Sequence, residues 1–263
     1  MYLSDEHIKL AEDFTKTGYI IRPIADNDAL ARMETIFRNA ITEQLDGMSI
    51  GDLSDWLNVS HKHVPVDQLN DFRLKIINAI NSDSVLRSSY FDLARPYLEA
   101  LVGNELAMQR RVNLSIQYPE DDTALLPVHA DTWSGDSPFE VVVWVPLVDC
   151  FGTKAMYILP PDANDVLKRD FANLSKGNSE RLFDAIADDL IWIEIKRGEV
   201  LIFNQTLPHG NRVNAEKQTR WSMNCRFKSV FTPYADKKIG EFFEPITLRP
   251  VSKLGLDYEL PKI

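Results

Sequence analysis

Glu140-Val-Val-Val-Trp-Val-Pro-Leu147 is a near-continuous apolar run and reads as a central β-strand. Upstream, Val112-Asn-Leu-Ser-Ile-Gln-Tyr118 alternates apolar with polar, the period-two mark of a half-buried strand. Met156–Leu159, Ile191–Ile195, Glu199–Phe203 and Trp221–Phe227 complete a set of short strands, which Asp162–Asp189 interrupts with charged, helical sequence. Before residue 106 the texture is helical. Ser4 is placed to cap a helix carrying Ile8, Ala11 and Phe14, and Gly18 ends it. A short extended piece, Tyr19-Ile-Ile21, follows. Leu30, Met33, Phe37, Ala40 and Ile41 make a second apolar stripe, and Leu69, Phe72, Ile76 and Ile80 a third. Phe91–Leu101 reads as a further helix with a possible break at Pro96. After residue 233 the chain turns irregular and ends in a Pro-bearing tail, Pro245–Ile263. The expected architecture is one α+β domain over 1–263. It comprises a helical layer (1–105), a mainly antiparallel β core (106–233) with a helical insertion (162–189), and a tail (234–263).

Composition excludes several classes. With 263 residues the chain can bury a substantial core without disulfides or metals. Twenty-nine Lys and Arg against thirty-nine Asp and Glu leave a net charge of −10, which argues against a nucleic-acid backbone or an anionic membrane as partner. The longest apolar run is too short for a bilayer, and MYLSDEHIKL lacks the pattern of a secretory signal. Cys150 and Cys225 have no metal-type spacing and read as small buried hydrophobes; a cytoplasmic location is expected. GxGxxG, GxxxxGK[ST], GxSxG and HExxH are all missing, which sets aside dinucleotide, P-loop, serine-hydrolase and zincin chemistry.

Polar residues inside the β half remain. His129-Ala-Asp131 puts an imidazole and a carboxylate at i and i+2, the same face if the segment is a strand, so both can reach one metal. Alone, such a triplet is common. His209 follows the strand Glu199–Phe203, and Arg220-Trp-Ser222 opens the last alternating strand, with Arg220 and Ser222 on one face and Trp221 and Met223 on the other. Two histidines and a carboxylate are the facial triad of non-haem Fe(II) oxygenases. A guanidinium with a hydroxyl beside it suits the far carboxylate of 2-oxoglutarate. The ordered combination is far more specific than its parts.

NLSIQYP (113–119), LLPVHADTWSGDSPFEVVVWVPLVD (125–149), GTKAMYILP (152–160), PHGNRVN (208–214), TRWSMNCRF (219–227) and FFEPITLRPVSKLG (242–255) resemble the Fe(II)/2-oxoglutarate-dependent oxygenase superfamily. Within it they are similar to a group found sporadically in bacterial carbohydrate-biosynthesis clusters. GYIIRPI (18–24) is similar to the opening strand of phytanoyl-CoA-type dioxygenases. The resemblance implies a double-stranded β-helix (jelly-roll, cupin-like) core, iron ligands His129, Asp131 and His209, and O2 with 2-oxoglutarate as cosubstrates. It implies that Arg220 with Ser222 takes the far carboxylate, Gln117 lying on the strand that enters the site; some branches use a lysine instead, which leaves Lys154 as the alternative. A retained Asp131, where halogenases of the superfamily lose the carboxylate, implies hydroxylation or desaturation, here of a sugar or sugar-bearing small molecule.

Asn113, Thr132, Trp133 and Asp136 are candidates to line a pocket for a polyhydroxylated substrate, as is Glu140; an ordinary loop at 132–136 is the competing reading. Trp144 is expected in the core, Asn211 and Asn214 in turns, and His61-Lys-His63 in an exposed connection. Two other functions compete: a cupin-like, non-oxidative sugar epimerase or isomerase, and a metal-free binding module on the same barrel. Oligomeric state is not legible.

Overall fold

The computed structural model describes residues 4–174, 176 and 178–261. The N-terminal helices form as their caps and stripes dictate. Ser4 accepts a hydrogen bond from the His7 N–H at the start of α1 (Asp5–Thr17), and Gly18 closes that helix at φ 77°. Asp26 caps α2 (Asn27–Gln44) by accepting from the Ala29 N–H. This helix buries Leu30, Met33, Phe37 and Ile41; each is worth about 1.5–3 kcal/mol, so packing rather than helix propensity holds it. α3 (Leu53–Asn58), α4 (Leu69–Ser82), α5 (Leu86–Asp92) and α6 (Arg95–Leu101) complete the layer. Phe91–Leu101 is therefore not one broken helix. Pro96 sits in the first turn of α6, where its missing N–H costs nothing, and starts a helix instead of interrupting one.

The strands are β1 (Tyr19–Pro23), β2 (Leu106–Gln109), β3 (Asn113–Gln117), β4 (Glu140–Pro146), β5 (Tyr157–Ile158), β6 (Ile191–Trp192), β7 (Glu199–Asn204), β8 (His209–Gly210), β9 (Arg220–Ser229) and β10 (Phe243–Pro245). The larger antiparallel sheet runs β1-β7-β4-β9-β2-β10, with β3 also paired to β9; the smaller one runs β6-β5-β8. Sequence layers do not match sheet layers. The extended piece 19–23 leaves the helical layer to become an edge strand on β7, and the irregular tail supplies β10 on β2. α7 (Pro161–Leu174) and α8 (Ser179–Ile186) form the expected insertion, packed with Val128, Tyr157 and Leu159 in a second apolar cluster. α9 (Pro250–Leu256) follows β10.

β9 organises the molecule. Trp221, Met223, Cys225 and Phe227 are all fully buried, and Trp221 donates its indole N–H to Ser60 Oγ (2.9 Å) in the helical layer. The alternate residues Arg220, Ser222, Asn224 and Arg226 form the opposite row. Gly210, on β8, packs closely against the loop before His129 and against Tyr157 of the neighbouring β5. A Cβ there would lie 2.6 Å from the Leu126 carbonyl oxygen and 2.6 Å from Tyr157 Oη. Gly210→Ala is expected to cost about 1–3 kcal/mol, read as a lower urea midpoint; an unchanged midpoint would mean that the loop yields freely.

Candidate metal centre

Three chain segments converge on one point. His209 lies on β8, and His129 forms an isolated antiparallel bridge with it, each N–H donating to the other's carbonyl (3.1 and 2.8 Å). The rings stand 4.3 Å apart between centroids. Asp131 is not on a strand as the i, i+2 argument assumed; it opens a short 3-10 turn, Asp131–Ser134. Its backbone N–H donates to the Gln205 carbonyl (3.1 Å), and this bond rather than a regular pleat turns its carboxylate toward the histidines. Ligand atoms of His129, Asp131 and His209 all lie within 4.8 Å of one another, and no other such cluster occurs among the described residues.

The imidazoles are oriented for metal binding. His129 Nδ1 faces the Pro127 carbonyl and His209 Nδ1 the Leu207 carbonyl, both at 2.8 Å. A carbonyl can only accept, so each Nδ1 carries a proton, and Nε2 is the ring atom available to a metal. Burial pushes His209 down to about 4, which leaves it neutral at ordinary pH. Burial opposes ionisation of Asp131, but the charged Arg226 guanidinium hydrogen-bonded to it holds the carboxyl below its usual value. Two neutral imidazoles and an ionised carboxylate fit a divalent first-row metal.

Arg226 is the support that holds Asp131. Its Nη2 donates to Asp131 Oδ1 at 2.8 Å, and its Nε donates to Gln205 Oε1 at 3.1 Å and lies 3.7 Å from Asp136. Gln205 in turn donates to Glu140 (3.0 Å), and Lys237 pairs with Asp136 (2.6 Å). Replacing Arg226 by glutamine is expected to weaken metal binding by about 10–100-fold, with partial recovery in the lysine variant, as anaerobic Fe(II) titration would measure. Wild-type affinity in the glutamine variant would reduce Arg226 to a packing role.

A cavity of about 380 Å³ opens onto the triad, and Arg220 lines it. The Arg220 side chain is buried with no carboxylate partner among the described residues. It donates to the Ala155 carbonyl (3.3 Å) and Ser115 Oγ (3.2 Å), and its Nε has no partner among the described residues. Burial pulls it down to about 10. A buried guanidinium without a counter-ion is costly unless an anion completes it.

No protein-family model and no curated protein matches the chain. Solved structures do. The non-heme monooxygenase ThoJ, in a nickel complex, superposes with a TM-score of 0.55 at 14% identity, covering 92% of this chain and 85% of that one. The non-heme alpha ketoglutarate dependent epimerase SnoN from nogalamycin biosynthesis gives 0.56 at 15% identity, over 89% and 85%. HygX from Streptomyces hygroscopicus, solved with nickel and 2-oxoglutarate bound, gives 0.50 at 16% identity, over 88% and 89%. The fold is that of the non-haem iron, 2-oxoglutarate-dependent enzymes.

Within this fold the remaining sequence candidates are distributed unevenly. Asn113 lines the cavity and donates to Asn224 Oδ1 (3.0 Å), and Trp144, expected only in the core, lines it too. Ser222 keeps its place in the Arg220 row, its buried hydroxyl without a partner, but is not in the cavity wall. Gln117 points its Nε2 at the Arg212 carbonyl (2.6 Å), outside the cavity. Lys154 is neither on a strand nor exposed. It ends a 3-10 turn, is fully buried, and donates to Asn58 Oδ1 (2.6 Å) and Gln218 Oε1 (3.0 Å), away from the cavity. Thr132 and Trp133 line a separate hollow, where Trp133 packs on Phe171 at 4.8 Å. Asp136 and Glu140 are buried ion-pair members that do not reach the cavity. Asn211 lines the cavity and, instead of capping a turn, ties the distant loop at Ala124 and Leu126 to β8. His61 and His63 do not form a pair: one bonds Thr219 Oγ1 (2.8 Å), the other stacks on Trp56. Arg226 and Arg73, both cavity residues, had not been singled out from sequence. For Arg226 a signal existed, since it continues the i+2 row of Arg220; for Arg73, on α4, none did.

Proposed function

We propose that this protein is an Fe(II)/2-oxoglutarate-dependent oxygenase whose single catalytic unit spans 1–263, with its two sheets forming a double-stranded β-helix. The observation that carries the reading is the His129–Asp131–His209 cluster sharing one cavity with a buried guanidinium that lacks a counter-ion. His129 and His209 offer their Nε2 atoms to the metal and Asp131 its carboxylate. Arg220 takes the far carboxylate of 2-oxoglutarate, and its unpartnered Nε accounts for the anion that its burial demands. Iron held there with 2-oxoglutarate and O2 would supply an oxidant able to remove hydrogen from carbon. The chain positions the substrate and keeps water out, with Trp144, Met156 and Phe203 as the apolar part of the wall.

Hydroxylation or desaturation of a polyhydroxylated, sugar-bearing small molecule is the preferred reaction. Its support is the sequence resemblance together with the amides of Asn113 and Asn224 in the wall; the same resemblance favours the phytanoyl-CoA-like branch. A non-oxidative isomerase leaves Arg220 without purpose. Anaerobic addition of Fe(II) and 2-oxoglutarate is expected to give a weak visible charge-transfer band, and O2 should then convert 2-oxoglutarate to succinate. Absence of both would end the reading.

A further inference from the structure

The cavity wall carries three guanidiniums, from Arg73, Arg220 and Arg226, against one carboxylate, Asp131. That excess stands out in a chain of net charge −10. Two of the three are accounted for. Arg226 is paired with Asp131 and Asp136, and Arg220 is assigned to the cosubstrate. A divalent metal and a 2-oxoglutarate dianion cancel each other, so loading the site leaves the surplus in place.

Arg73 is the remainder. It reaches the cavity from α4, and its one hydrogen bond goes to Asn70 Oδ1 (2.7 Å) on its own helix, a neutral acceptor. No carboxylate pairs with it among the described residues, although Lys75, two positions on, has Asp71 at 2.8 Å. An arginine fork that faces a site and lacks a charged partner is suited to a phosphate or carboxylate, which it binds through two parallel N–H bonds. Asn113 and Asn224 also line the cavity and spend only part of their hydrogen-bonding capacity on each other, leaving donors and an acceptor for hydroxyl groups.

We infer that the substrate is anionic, a polyhydroxylated molecule carrying a phosphate or carboxylate that Arg73 binds while Asn113 and Asn224 take hydroxyls. The inference rests on the oxygenase reading for the assignment of Arg220. The test titrates the protein, loaded anaerobically with Fe(II) and 2-oxoglutarate, with glucose 1-phosphate, glucuronate and methyl glucoside by calorimetry. The visible spectrum of each loaded protein is recorded first and reports on the oxygenase reading separately. In the wild type one of the two anions should bind at least about tenfold more tightly than methyl glucoside, and which one it is distinguishes phosphate from carboxylate. Arg73→Gln should erase that advantage, and Arg73→Lys, which keeps the charge but loses the fork, should restore part of it. Equal or absent binding of all three probes, or a preference that survives in Arg73→Gln, overturns the inference. A missing charge-transfer band with a preference that disappears in Arg73→Gln would instead sink the oxygenase reading and leave the anion site standing.

Discussion

Asp131→Ala is expected to abolish iron-dependent turnover of 2-oxoglutarate, a loss of at least about 1000-fold. Removing a residue that merely supports a ligand costs about 10–100-fold in metal affinity, and Asp131 is assigned as a ligand itself. It is also the one anionic donor in the cluster, so its loss leaves two neutral imidazoles facing a dication, with Arg226 close by and no longer neutralised. Repulsion then adds to the missing bond. Part of the effect falls on stability, because breaking a buried charge pair costs about 3–5 kcal/mol when the remaining charge has nowhere to go. Here Asp136 and Gln205 remain near Arg226, so the loss should stay below that range. Asp131→Asn separates the two effects, since its amide oxygen still accepts from Arg226 while the negative charge is gone. Succinate formation and a melting curve, measured on both variants, check the prediction. Full turnover in the alanine variant would remove Asp131 from the metal site.

Arg220→Met should affect binding and stability in opposite directions. Without cosubstrate, Arg220 is a buried cation with two carbonyl-type or hydroxyl acceptors, an orphaned Nε and no carboxylate. Replacing such a group by an apolar side chain of similar length is commonly neutral or stabilising. The melting temperature of the unloaded variant should therefore equal or exceed that of the wild type. Binding should collapse: the fork makes charge-assisted hydrogen bonds worth about 1.5–3 kcal/mol each, so affinity for 2-oxoglutarate falls by roughly two orders of magnitude. The wild type will show a thermal upshift on adding 2-oxoglutarate with metal, and the variant will not. Arg220→Lys should lie closer to the variant than to the wild type, because a point charge does not reproduce the fork. Retention of the upshift in Arg220→Met would transfer the carboxylate to another residue. Lys154 is poorly placed to inherit it, being fully buried and held by Asn58 and Gln218 outside the cavity.

Local pattern carried a good deal of this molecule. The alternation along TRWSMNCRF separates the two faces of β9 correctly, Trp221, Met223, Cys225 and Phe227 into the core and the Arg220 row opposite. Apolar stripes mark α1 and α2, and Ser4 and Gly18 delimit α1, because helix periodicity and end-capping act over a few residues. The residues His129, Asp131 and His209 could be named from spacing and resemblance, and the structure brings them to one point. The route is not the one that spacing suggested, however, for Asp131 is aimed by a backbone bond to Gln205 and not by a strand pleat.

What spacing could not supply was the pairing of charges. Asp136 and Lys154 look equally available in the sequence, yet one is held by Lys237 and the other by two neutral amides, both away from the cavity. Arg220 and Arg226 are interchangeable as letters in the same row; only the tertiary structure sets a carboxylate against the second and none against the first. Arg73 belongs to a helix far from the β core in sequence and enters the cavity through packing alone. The sequence by itself determined most of the helices and core strands, though not β10 in the tail or the turn at Asp131, and which face their side chains take, because those choices are made by interactions a few residues long. The tertiary structure decided which charges are neutralised and which remain to bind a ligand. Coulombic pairing depends on distances of a few ångströms between residues tens to more than a hundred positions apart, and these are fixed only when the sheets and helices pack.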